Sequence, residues 1–170
     1  MRVLVSAASR HGATAEVAAA IAAALARTGI EPVVVAPAEV TGVDSYDAAV
    51  IGSGVYAGRW LEPARDLLER HREGLSKVPV WLFSSGPIGD PPRPAEDPVD
   101  AATMGALVGA REHKVFAGMI DKGRLGFGER AIIAALRAPE GDFRPWPEID
   151  AWASAIATRL REASVPVPAR

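Results

Sequence analysis

The sequence predicts an α/β domain: an open, doubly wound sheet of five parallel strands with helices on both faces. Three observations lead there. Its short apolar runs are continuous rather than alternating, as in strands covered on both sides. Helical stripes separate most of these runs, which calls for parallel pairing through right-handed crossovers. The segments after the first, third and fourth runs are rich in Gly and Ser, at the edge where such sheets bind ligands. Five strands are too few for a barrel of eight.

Taken in order, Val3–Val5 is the first strand, and residues 14–28 form a helix with Val17, Ile21, Ala24 and Leu25 on one stripe and Gly29 at its end. Val33–Val35 is the second strand. Residues 36–47 leave little room for a full helix, so this crossover is expected to be short. Ala48–Ile51 is the third strand, and residues 61–73 repeat the helical spacing with Leu61, Ala64, Leu67, Leu68 and His71. Val78–Phe83 is the fourth strand and residues 99–109 a shorter helix. Lys114–Ile120 is a weaker fifth strand. A last helix over residues 147–162 carries Ile149, Trp152, Ile156 and Leu160 on one stripe, with Pro147 suited to its start.

Composition narrows the function. The 170 residues suit one domain, expected over residues 1–163 with a flexible tail at 164–170. The absence of cysteine excludes disulfides, Cys-ligated metals and a thiol nucleophile, and a cytoplasmic location is expected. Nineteen basic and 21 acidic side chains give a net charge of −2. That balance argues against nucleic acid as partner and against an acidic carrier steered onto basic proteins. The first apolar run is too short for a signal peptide, and no stretch approaches the ~20 apolar residues of a membrane span. No HExxH, GxSxG or carboxylate pair is present, so neither a catalytic side chain nor a metal site is expected. His71 reads as structural and His113 as exposed. Redox chemistry, if any, belongs to a cofactor.

Three loops converge on one edge. In the first, Ser9, Arg10, His11, Gly12, Ala13 and Thr14 bring hydroxyls, a cation and backbone N–H groups to a helix start, which is where phosphate is held. The plain alternative is a helix cap. Neither GxxxxGK[ST] nor GxGxxG occurs there, which disfavours ATP hydrolysis and dinucleotide binding. The second loop, Gly52–Trp60, offers Gly54, Val55, Tyr56, Ala57 and Gly58. Its glycines admit a flat ligand, and Tyr56 either stacks on one or plugs the core edge; Trp60 reads as core. The third, Ser84–Pro98, offers Ser84, Ser85, Gly86, Pro87 and Gly89, with a proline-stiffened rim beyond.

On these residues the chain resembles the flavodoxin superfamily over nearly its whole length. SRHGAT, Ser9–Thr14, is similar to the flavodoxin phosphate loop, with His11-Gly12-Ala13-Thr14 where many members have Thr-Gly-Asn-Thr. GSGVYAG and SSGPIG stand where that family binds its flavin ring. The resemblance implies strand order 2-1-3-4-5, FMN as cofactor, and the 16 residues named in the three loops as its binding site. An extra segment over residues 121–146, together with Phe116–Gly118, resembles the branch of menaquinone-dependent protoporphyrinogen oxidase. That implies an FMN-dependent oxidoreductase with a quinone, a porphyrinogen or a reductase as redox partner. The alternatives are an electron-transfer flavodoxin without a substrate of its own, and a binding module that has lost FMN. Within the insert, Ile132, Ile133 and Leu136 form an apolar face ringed by Arg124, Arg130 and Arg137. It suits a peripheral membrane contact or a substrate's carboxylates, or else packing on the domain or in a homodimer.

Overall fold

The computed structural model describes residues 1–86, 97–135 and 138–164. Pro87, Gly89 and the proline-rich rim lie outside the described residues, as do Leu136, Arg137, the side chains of Ile132 and Ile133, and residues 165–170. The chain runs β1 (Arg2–Ala8), α1 (Ala13–Arg27), β2 (Glu31–Val34), β3 (Ala48–Tyr56), β4 (Arg59–Trp60), α2 (Glu62–Arg70) and α3 (Arg72–Leu75). It continues through β5 (Val80–Ser85), α4 (Ala101–Val108), β6 (Glu112–Phe116), β7 (Met119–Ile120), α5 (Phe127–Ala135), β8 (Gly141–Asp142) and α6 (Trp146–Ser164).

The long strands lie in the order β2-β1-β3-β5-β6, each neighbouring pair parallel. Counting these strands alone, this is the expected order. Successive strand residues face opposite sides, so two cores form. Val3, Val5, Val50, Trp81 and Phe83 pack with α1 and α6 through Val17, Ile21, Leu25, Ile149, Trp152 and Ile156. Leu4, Ile51 and Leu82 pack with α2, α3 and α4 through Leu67, Leu68, Leu75 and Met104. Each large aliphatic side chain buried this way contributes about 1.5–3 kcal/mol. The expected short crossover is a single 3-10 turn, Pro37–Glu39.

Several boundaries differ from the sequence reading, most of them for a local reason. β1 continues past Val5 because the buried Ser6 hydroxyl donates to the Val35 carbonyl at 2.7 Å and is satisfied inside the sheet. β3 runs on to Tyr56 and turns through Ala57 (φ 48°) and Gly58 (φ 74°) into β4, so the expected loop is a tight hairpin of the primed type. The fifth strand splits into β6 and β7. Gly118 passes so close to Gly86 that a Cβ on it would stand 3.2 Å from Gly86 Cα, and β7 pairs with β8 instead. The helix over 61–73 breaks at His71, whose Nε2–H donates to the Val40 carbonyl at 3.2 Å. At the C-terminus α6 extends through Ser164, one residue into the expected tail. Among the described residues no helix is long and apolar enough to cross a membrane.

Candidate functional site

The register places Ala8 beside Ser53, Gly54 beside Ser85, and Ser85 beside Phe116. The segments that follow these residues therefore share one edge of the sheet. From Ala8, residues 9–12 turn the chain into α1. Gly12 takes a left-handed φ of 89°, which a Cβ would strain, and no side chain caps the helix. Glu16 N–H donates to the Gly12 carbonyl at 3.0 Å. The N–H groups of Ala13, Thr14 and Ala15 thus precede the first helical bond and have no acceptor within the helix. Thr14 is buried, and a Cβ on Gly54 would stand 3.1 Å from Thr14 Oγ1. A bare glycine at 54 therefore keeps the hydroxyl's surroundings open. Uncapped N–H groups at the positive end of a 15-residue helix, with a hydroxyl beside them, fit a phosphate monoester.

Tyr56 stands half-buried beside this turn. The Arg10 guanidinium lies 5.2 Å from its ring centroid and the His11 ring 6.4 Å away. Burial, with the Glu129 charge second, pushes its phenol pKa up, so it stays neutral. Val55 packs partly buried below, and Val99 N–H donates to the Gly58 carbonyl at 2.9 Å, tying the residues before α4 to the hairpin. Ser85 is buried, and Gly86 N–H reaches the Phe116 carbonyl at 3.3 Å.

Ser84 sits lower, fully buried. Trp60 Nε1–H donates to its Oγ at 2.7 Å, and His113 Nε2 lies 2.8 Å from the same oxygen, placed to accept the hydroxyl proton. Its hydroxyl is thus engaged in the floor of the site. His113, expected to be exposed, is half-buried between Trp60 and Ser84, and burial holds its pKa below the ordinary 6.5. Trp60 is core, as expected, and its backbone N–H donates to the Asp100 carboxylate at 3.2 and 3.3 Å.

The insert folds against the first loop. Arg144, its side chain 4 % exposed, donates to the Ala13 carbonyl at 3.0 Å, to Glu16 at 2.7 Å and to Asp142 at 2.7 and 2.8 Å. Its guanidinium also covers the Trp146 ring at 4.4 Å. Arg124 reaches the other Glu16 oxygen at 2.9 Å and the His11 carbonyl at 3.3 Å. Hydrogen bonds from Arg124 and then Arg144 hold the Glu16 carboxyl below the usual range. Glu129 of α5 accepts from His11 Nε2–H at 3.0 Å and pairs with Arg10 Nε at 3.2 Å. Sequence reasoning singled out neither Glu16, Glu129 nor Arg144. No local pattern marks them, because their partners on the loop lie over a hundred positions away.

The model of the flavodoxin domain family matches residues 4–144, so the chain belongs to that family. No curated protein matches it in sequence. Among solved structures, a flavodoxin from the domain Archaea is similar at 16 % identity with a TM-score of 0.64, over 95 % of this chain and 99 % of that one. A mutant flavodoxin from Pseudomonas aeruginosa gives 15 % identity and a TM-score of 0.62, over 95 % and 99 %. The flavodiiron core from Synechocystis sp. PCC6803 gives 13 % identity and a TM-score of 0.69, over 96 % of this chain but 37 % of that one. At these identities the structures speak for the fold.

Proposed function

We propose that this protein is an FMN-binding electron-transfer protein whose flavin is anchored by its phosphate at the start of α1. The observation that carries the reading is the uncapped first turn of α1 behind a left-handed Gly12, within a chain that belongs to the flavodoxin domain family. Bound FMN supplies one- and two-electron chemistry. The chain's own residues bind, orient and shield it. Ser9–Thr14 hold the phosphate with backbone N–H groups and hydroxyls, while Arg10 and His11 flank it. Gly54–Gly58 form one wall for the ring, with Tyr56 available to stack, and Ser85 and Gly86 form the other. Ser84 supports that wall from beneath.

One observation favours a finer reading. A segment locked onto the cofactor loop by Arg124 and Arg144 adds a surface beside the flavin that simple electron carriage does not require. That supports an oxidoreductase acting on a reduced substrate such as a porphyrinogen, with a quinone as acceptor. The test is to load the protein with FMN, reduce it with light, and add menadione with or without protoporphyrinogen. Retained flavin that menadione reoxidises supports the electron-transfer reading, and catalytic formation of protoporphyrin supports the finer one. Failure to retain FMN contradicts both.

A further inference from the structure

We propose that Glu129 is an internal anion that competes with the flavin phosphate for the first loop, so that phosphate capture and docking of α5 oppose one another. This rests on the FMN reading above and adds to it a partner on the chain itself. Glu129 Oε1 holds both His11 Nε2, at 3.0 Å, and Arg10 Nε, at 3.2 Å. Its Oε2 accepts the Gly126 N–H at 2.9 Å. That backbone bond, and then His11, hold the carboxyl below the usual range, so it is ionised near neutrality.

Among the described residues, the insert's arginines that reach the loop are engaged as well. Arg124 and Arg144 both close on Glu16. A phosphate arriving at the Ala13–Ala15 N–H groups therefore meets a loop whose Arg10 and His11 are already paired, with Glu129 a second negative charge held on that same loop. Like charges brought together in this way repel. One of the two carboxylates must yield. Moving Glu16 would strip a partner from the buried Arg144, which is the costlier break. Moving Glu129 frees Arg10 and His11 together and gives up one backbone bond. Phe127, the first residue of α5, is 92 % exposed, so this end of the helix has little apolar contact to lose.

The test uses the full chain freed of flavin, with FMN and riboflavin titrated into the wild type, Glu129→Gln and Glu140→Gln. Glu140 is an insert carboxylate paired with Lys122, and serves as control. The glutamine at 129 keeps a hydrogen-bonding side chain while removing the charge. Glu129→Gln is expected to bind FMN about tenfold tighter than the wild type, as loss of a partly screened like charge implies. Riboflavin binding and the Glu140→Gln variant should not change. Hydrogen exchange at residues 126–135 of the wild type should accelerate when FMN is added. Wild-type FMN binding with no gain in Glu129→Gln, or an equal gain for riboflavin, overturns the proposal while leaving the FMN reading intact. FMN bound no better than riboflavin by any of the three proteins overturns the FMN reading and the competition with it.

Discussion

A guanidinium only 4 % exposed is tolerated when its N–H groups find acceptors, and Arg144 finds them on two carboxylates and the Ala13 carbonyl. Replacing it by Met keeps much of the volume and leaves Glu16, Asp142 and Ala13 without their shared partner. Arg144→Met is therefore expected to lower stability by about 1–3 kcal/mol in chemical denaturation. Thr14 makes a different case, because on the proposed reading its hydroxyl serves a bound anion. Thr14→Val is expected to weaken FMN by about tenfold and leave riboflavin unchanged, the loss of one charge-assisted hydrogen bond. The place of Thr14 at a helix start was legible in the sequence, since hydroxyl, glycine and helix start fall within six residues. Arg144 and Glu129 were not. Their meaning depends on a fold-back that brings residues 129 and 144 onto residues 10–16, and no periodicity records it.

At the scale of elements, the seam between β3 and β5 is tight enough to dictate a residue. A Cβ on Gly52 would stand 2.2 Å from the Phe83 ring, which is itself wedged against Phe116 and Trp152. Gly52→Ala is expected to destabilise the sheet by about 1–3 kcal/mol through overpacking, read as a lower denaturant midpoint. The next seam, β5 to β6, carries the Trp60–Ser84–His113 chain. The folded His113 pKa lies below 6.5, so the unfolded chain takes up a proton that the folded chain refuses. Its contribution to stability is complete above that pH and is lost as the pH falls through 6.5 towards the folded value. His113→Gln should flatten the slope of stability against pH as the pH falls through 6.5. Continuous apolar runs revealed these strands but not their ends. Gly54 and Ser84 looked like loop residues and Ser6 lay beyond the first apolar run, and it is their hydrogen bonds and lack of bulk inside the sheet that extend β1, β3 and β5 over them.

Across the whole molecule, the parallel sheet and its two-sided core followed from alternating strand and helix patterns, because such a sheet admits few ways to be wound, while the strand order came with the resemblance to flavodoxins. The insert has no such rule, and its docking emerged only from charge pairs. A net charge of −2 over 170 residues fits a surface on which arginines and carboxylates answer each other locally. The central claim is that the start of α1 is a phosphate site. Calorimetric titration of the flavin-free chain with FMN and with riboflavin tests it most directly. FMN is expected to bind at least about tenfold tighter, the margin a held phosphate contributes through several N–H donors. Equal affinity for the two flavins, or none for either, would contradict it.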